Sequence, residues 1–259
     1  MNSFIISTRS ELLKSKRSAS FWLSIITAAF IPVLFSLALS INASEVVKEF
    51  KVDPWNGLLR GGFQAMNSFL FPMYVILICS LIPQIEYKNN TWKQVFAAPN
   101  SVGNIFFSKF LTIHFMIFFC FLLFNILILL TGVFLYLVEP QFTFLDHAVP
   151  WKELLRLNGK TYLSVLGISA IQYAVSLRFK NFIAPVGIGL ALLVLSIIAL
   201  NFQWKHIAKL PFAHPILTLM NFDKPGRPLI ENHEWNSVAY GAAFLLIGFL
   251  DLRFKKEKG

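Results

Sequence analysis

From Leu111 to Leu137 the chain carries no Asp, Glu, Lys or Arg. A helix crosses a bilayer with roughly 17–25 predominantly apolar residues, whereas a core strand needs only about five or six. The stretch is too long for a strand, and it lacks the polar stripe that a helix of a soluble protein turns to water. Five further segments read the same way: Phe21–Asn42, Ala65–Ile85, Thr161–Leu177, Phe182–Asn201 and Asn236–Leu252. The fourth span is entered through Leu154, Leu155 and Leu157; the last is interrupted by Gly241 and closed early by Asp251. Composition agrees, with 14% charged residues against roughly 25% in an average soluble domain. The expected fold is an all-α integral membrane protein, one transmembrane domain over residues 1–259 with six spans.

A net charge of +10 in a soluble chain points to nucleic acid, but in a membrane chain its distribution sets orientation. With the amino terminus placed inside, thirteen Lys and Arg against four acids fall on the inner side, and ten against nine on the outer side. Almost all the uncompensated positive charge is therefore inside, which predicts a multi-pass protein of the cell membrane with both termini cytoplasmic. The first apolar segment follows Arg9, Lys14, Lys16 and Arg17 but exceeds the roughly 7–15 residues of a signal peptide's apolar region, so it reads as an uncleaved anchor. Cys79 and Cys120 lie inside apolar segments and read as small buried residues, not as a disulfide or a zinc site.

Three outer loops are long, 43–64, 138–160 and 202–235. The last holds Pro211, Pro215, Pro225 and Pro228 around an apolar patch too short to span, and a re-entrant or interface-lying element over Leu210–Met220 is the expectation. Before the first span, Met1, Phe4, Ile5, Thr8 and Leu12 recur at helical spacing opposite Asn2, Ser3, Arg9 and Lys14, which predicts an amphipathic helix over 1–17 lying in the cytoplasmic interface.

The segment Glu86–Ser101, EYKNNTWKQVFAAPNS, is the most informative. Asn90 is placed to cap a short helix from Thr91 to Ala97, and Pro99 ends it. Trp92, Val95 and Phe96 are expected against the interface, with Lys93 and Gln94 facing the cytoplasm. Such a helix suits docking of a soluble partner, while an ordinary tight loop is the plain alternative. The arrangement of Glu86, Thr91, Trp92 and Pro99 resembles the segment after the second membrane helix of ABC-2 type transporter permeases, particularly the group linked to lantibiotic and antibiotic self-protection. In that family a Glu is followed by a Gly-Thr pair, an apolar helical stretch and a Pro; here Asn90 stands where the family often has Gly. The resemblance implies that Glu86, Asn90, Thr91, Trp92, Lys93, Gln94 and Pro99 form the element coupling the permease to a separate cytoplasmic ATPase. It also implies two ATPase copies carrying ATP and Mg2+, and a second permease chain, identical or related.

The chain itself shows no nucleotide site. Gly159, Lys160 and Thr161 imitate the end of a phosphate-binding loop, but Leu154 stands where the first glycine is required. His114 is the one His within an expected span, and a satisfied side chain is its plain reading. His206, His214 and His233 match no zinc spacing, so neither metal nor cofactor is expected. Phe115, Phe118, Phe119 and Phe124 can line a path for an amphipathic substrate, or simply pack against lipid. Ser164, Gly167, Ala170 and Ala174 form a small-residue face suited to close packing, within the chain or across a dimer.

The leading expectation is thus a non-catalytic permease subunit of an ABC exporter for an amphipathic substrate such as a peptide antibiotic. A lipid or another small molecule is the alternative cargo. A stand-alone channel or secondary carrier would need intramembrane charges that couple ions, and an intramembrane enzyme would need paired catalytic groups at one depth; neither set is legible. The charge asymmetry generates the first prediction: in intact cells, tags at the carboxyl terminus and between Lys88 and Lys93 are shielded while one near Pro225 is labelled, and labelling of the carboxyl tail from outside would overturn the orientation.

Overall fold

The computed structural model describes residues 3–41, 53–97, 100–139, 141–222, 226 and 228–254, and these are largely helical with no strand among them. Helix α1 (Ser3–Ser15) precedes α2 (Ala19–Ile41). Next come α3 (Pro54–Ala65), a π-helical turn (Met66–Leu70) and α4 (Phe71–Lys88), then the six-residue α5 (Trp92–Ala97). The series closes with α6 (Val102–Val138), α7 (Trp151–Arg178), α8 (Ile183–Asn201), the short α9 (His214–Asn221) and α10 (Asn232–Phe254).

Among the described residues, five stretches are long and apolar enough to cross a membrane: α2, the continuous run Pro54–Lys88, α6, α8 and α10. The second begins earlier than expected. Asp53 accepts the Asn56 amide at 3.1 Å and Pro54 occupies the first turn, so the helix starts within what reads as a loop. The expected fourth span falls in α7, which is not among the five; charged residues fill its first turns, and Ser164, Ser169, Gln172, Tyr173 and Ser176 make the rest less apolar.

Helix α7 is nonetheless the axis of the bundle, buried at every position from Gly167 to Tyr173. Neighbouring helices cover that stretch, so it tolerates polar side chains that find partners on them. The Gln172 amide donates to the Pro185 carbonyl (2.7 Å) and to Ser80 Oγ (3.0 Å). Asn125 and Asn158 exchange two amide hydrogen bonds of 2.7 and 2.9 Å between α6 and α7.

The small-residue face of α7 packs within the chain, against α10. Ser237 Oγ accepts the Gly167 amide at 2.9 Å and donates to the Ser164 carbonyl at 3.0 Å. A Cβ at Gly248 would stand 3.1 Å from that of Ala174. Neither Gly241 nor Asp251 breaks α10, contrary to expectation. Gly241 lies against the Leu166 backbone, and Asp251 pairs with Arg178 at 2.9 and 3.0 Å while the helix runs on to Phe254.

At the far end, α9 sits on α7 and α10 through His214, Pro215 and Thr218. There Lys160, inside α7, donates to both Glu234 oxygens (2.8 and 2.9 Å), while Glu234 also accepts the Glu231 amide at 2.8 Å. That last bond is half of a capping box at the start of α10. The Gly-Lys-Thr triplet is therefore continuous helix, with Lys160 and Thr161 buried, and not a phosphate loop.

Gly132 of α6 generates the fold's prediction. A Cβ there would lie 2.6 Å from the Trp55 ring, and the indole is held in place by hydrogen bonds to the Phe144 and His147 carbonyls (2.8 and 3.1 Å). Gly132→Ala is expected to destabilise by roughly 1–3 kcal/mol through overpacking, read as a lowered thermal midpoint in detergent; an unchanged midpoint would mean that this contact is loose.

Candidate functional site

Two oppositely charged pairs meet inside the end of the bundle where α1 and α5 lie. Helix α1 brings Glu11 and Lys14, one turn apart; Glu86 comes from the last turn of α4 and Lys109 from the second turn of α6. Lys109 Nζ is 2.7 Å from Glu11 Oε2 and 2.7 Å from Glu86 Oε2. Lys14 Nζ donates to Glu11 Oε1 at 2.7 Å and to Glu86 Oε1 at 3.0 Å. Each carboxylate thus gives one oxygen to each ammonium, and the four groups close into a neutral ring.

The Lys109 and Glu86 side chains are 0% and 1% exposed and that of Lys14 is 34% exposed, so the ring opens to solvent only on the α1 side. Burial alone would push the Glu11 carboxyl up; Lys109 and then Lys14 outweigh it and hold Glu11 below the usual carboxylate value. Burial likewise opposes the Lys14 ammonium, but Glu11 and Glu86 raise it above its ordinary value. Removing one member of such a set strands a buried charge, at a cost of about 3–5 kcal/mol.

The surroundings of α5 follow from the chain termination of α4. Asn90 has φ +52°, the Thr91 amide reaches the Glu86 carbonyl (3.0 Å) and the Asn90 amide reaches that of Tyr87 (3.3 Å). This is a Schellman motif, and Asn90 holds the left-handed position that usually selects glycine. Asn90 therefore ends α4 instead of capping α5, which explains how Asn can stand at the family's Gly position. The cap of α5 is Thr91, whose carbonyl accepts the Val95 amide at 3.0 Å.

Trp92 does not lie at the interface as expected. It is buried, with Lys109 Nζ 5.5 Å from its ring centroid and the Tyr87 ring at 5.3 Å, so a cation–π contact ties α5 to the charge ring. Lys93 and Gln94 are exposed, Val95 packs partly against the core, and Pro99 lies outside the described residues. Glu86, expected on the docking surface, is instead interior.

Helix α1 turns Thr8 and half-buried Phe4 and Leu12 inward and leaves Ser3 and Arg9 exposed, but Ile5 of the expected apolar face is exposed as well. Its buried positions are Thr8, Glu11 and Ser15, while Ile5, Ile6 and Leu13 are exposed; Met1 and Asn2 lie outside the described residues. Glu11 faces Lys109 of α6, which also supplies partners for Ser3 and Ser7. Ser7 and Ser108 hydroxyls are 2.9 Å apart, and Asn104 Nδ2 donates to Ser3 Oγ at 2.7 Å.

The four Phe side chains do not form one path. Phe115 and Phe118 are exposed on the outside of α6, Phe119 stacks on Phe21 (5.6 Å), and Phe124 is buried against Phe63 (5.2 Å). His114 is satisfied by the Tyr162 hydroxyl (2.8 Å) and by Ser169 Oγ (3.3 Å). Cys79 and Cys120 are free and buried. Among the described residues no group of three His, Cys, Asp or Glu is placed to hold a metal ion.

The helical fold and its apolar stretches define a multi-pass membrane protein. The model of a family described as ABC-2 family transporter protein matches residues 7–196, and the chain belongs to that family. It is accordingly a permease component of an ABC transporter, a membrane subunit whose family works with an ABC ATPase. No curated protein and no solved structure matches it.

The sign of the Glu11 shift generates a prediction. A lowered folded pKa contributes stability that is present above the unfolded value and lost as pH falls through the folded one. Attachment of α1 should therefore persist at neutral pH and fail only at a pH below the usual carboxylate range, read as hydrogen exchange of the α1 amides. Lys109→Met removes the largest opposing charge and should move release to higher pH; release at the parent's pH would show that Lys109 does not set the Glu11 carboxyl.

Proposed function

We propose that this permease is an exporter subunit with six spans, counting α7, and both termini in the cytoplasm. Two copies, or one copy and a related chain, pair with two ATPase subunits that supply ATP and Mg2+. The cargo is an amphipathic molecule, with a peptide antibiotic as the leading class and self-protection as the role. A lipid or another small molecule is the alternative cargo.

The observation that carries the reading is α5. It is a short helix with Lys93 and Gln94 turned outward and Trp92 turned inward onto the charge ring. Its outer side offers a docking contact, and its inner side is fixed to Tyr87 of α4 and Lys109 of α6. In this reading, closure of the ATPases around ATP displaces α5 and the displacement enters the spans through α4 and α6. The permease supplies the path and the ATPases supply the energy.

Two measurements test this. The chain purified alone should hydrolyse no nucleotide above background, and robust hydrolysis by the isolated polypeptide would remove the permease-only role. Lys93→Glu should insert normally yet reduce recovery of the ATPase on co-purification, because like charges set against each other at an interface cost several kcal/mol. Parent-level recovery and substrate-stimulated hydrolysis would mean that α5 is not the docking contact. Sensitivity of cells to candidate peptide antibiotics, with and without the chain, tests the cargo.

A further inference from the structure

Where α7 ends against α10 there is an open groove of about 580 Å3, lined by Arg178 of α7 and by Ile247, Leu250, Asp251 and Phe254 of α10. Ile247, Leu250 and Phe254 recur at spacings of three and four, so they share one face of α10, and all three are exposed. Gly248 sits against Ala174, where an added Cβ would stand 3.1 Å from that of the alanine. One turn further on, this close approach sets Arg178 opposite Asp251. Arg178 Nε and Nη2 donate to the two Asp251 carboxylate oxygens at 3.0 and 2.9 Å. A guanidinium carries five N–H donors, so this fork fixes its plane and leaves donors for a second acceptor. The Arg178 side chain is 64% exposed, which puts those donors at the mouth of the groove.

The end of α7 is itself held in place. The Tyr87 hydroxyl donates to the Leu177 carbonyl at 2.8 Å and Gln84 Nε2 to the Phe179 carbonyl at 3.1 Å. An anion approaching Arg178 therefore does not meet those two carbonyls bare. These contacts also place the groove at the end of the bundle where α4 leads into α5. Lys180 and Arg253 are exposed, and the sequence beyond α10 adds Lys255, Lys256 and Lys258 against Glu257. An apolar wall that ends at an oriented guanidinium, in a basic neighbourhood, matches a molecule with a hydrocarbon chain and an anionic headgroup. Charge that only set the orientation of the chain would need neither the groove nor the fork.

We propose that this groove binds an anionic glycerophospholipid, with an acyl chain along Ile247, Leu250 and Phe254 and the phosphate on Arg178. Asp251 is a positioning residue that aims the guanidinium. The lipid comes from the leaflet on the α1/α5 side, which is the inner leaflet in the orientation proposed above; only that name rests on the orientation, and the docking role of α5 does not enter. A lipid held there bridges the axis helix α7 to the last span.

Site-directed fluorescence quenching in vesicles of the full chain, with the same lipids in both leaflets, tests this whatever the orientation. Leu246, beside the groove, and Ile26, on α2, are both exposed while Cys79 and Cys120 are buried, so a single cysteine introduced at either position takes the fluorophore. Phosphatidylglycerol with a nitroxide on its acyl chain should quench the Leu246 label at about fivefold lower mole fraction than the matching phosphatidylcholine or phosphatidylethanolamine. At Ile26 the three lipids should quench alike. Arg178→Gln should abolish the preference at Leu246, and so should Leu250→Trp, which fills the groove and keeps every charge. A preference that survives either variant belongs to the basic tail at large and overturns the site, as does equal quenching by the three lipids in the parent. Loss of the preference on adding excess inorganic phosphate would assign Arg178 to a free anion and overturn the lipid.

Discussion

A lysine in the second turn of a 37-residue apolar helix is the constraint around which the α1/α5 end of this protein is arranged. Lys109 cannot be charged in that position without carboxylates, and one carboxylate would not suffice once Glu11 and Glu86 are both buried. Two acids and two bases in alternation pair every charge with two of opposite sign. Because ion pairs of this kind barely repay their desolvation, their contribution is to specify which helices meet, and the penalty for breaking them is larger than the gain from making them. Here they specify that α1 lies on α6 with Glu11 inward, and that the end of α4 meets both, with Trp92 of α5 over Lys109.

The same rule governs the other end and the centre. Lys160 enters the bundle only because Glu234 accepts it with both oxygens, and Glu234 in turn completes the cap of α10. Along the axis, Gln172, Ser80, Asn125 and Asn158 use neighbouring side chains and carbonyls as partners. Where lipid is the neighbour the helices are apolar; where protein is the neighbour polar groups are admitted in satisfied pairs. This explains why α7, buried at every position from Gly167 to Tyr173, is less apolar than the helices around it.

Length and hydropathy made most of the helices legible, because a stretch such as Leu111–Leu137 has few alternatives. The boundaries of α3 and α7 were less legible, since Asp53, Pro54 and the charged first turns of α7 resemble a loop until the helix is seen to continue through them. The importance of the Glu86–Ser101 segment was readable from its pattern and its resemblance to ABC-2 permeases. Its geometry was not. Glu86 and Trp92 look like surface residues in sequence because Glu11 and Lys109, which draw them inward, lie 75 positions before and 23 after Glu86. The spacing of Glu11 and Lys14 on one helix face, and a lone lysine entering a long apolar run, were the available signals; read one at a time, they describe only topology. The four Phe residues show the converse error, since a helical run of aromatics presents them to several sides at once.

Charge exchange between α1 and the bundle tests the central claim most directly. Glu11→Lys with Lys14→Glu sets like charges against Lys109 and Glu86, and Glu86→Lys with Lys109→Glu does the same from the other side. Combining all four restores opposite signs at every contact, and the net charge is the same in every variant. The thermal midpoint of each, measured in detergent alongside the parent, forms a double-mutant cycle. The ring account predicts a clear loss for either pair of reversals and recovery of most of that loss when the two are combined. Losses that simply add would contradict it, and would mean that these four charges do not hold the helices together.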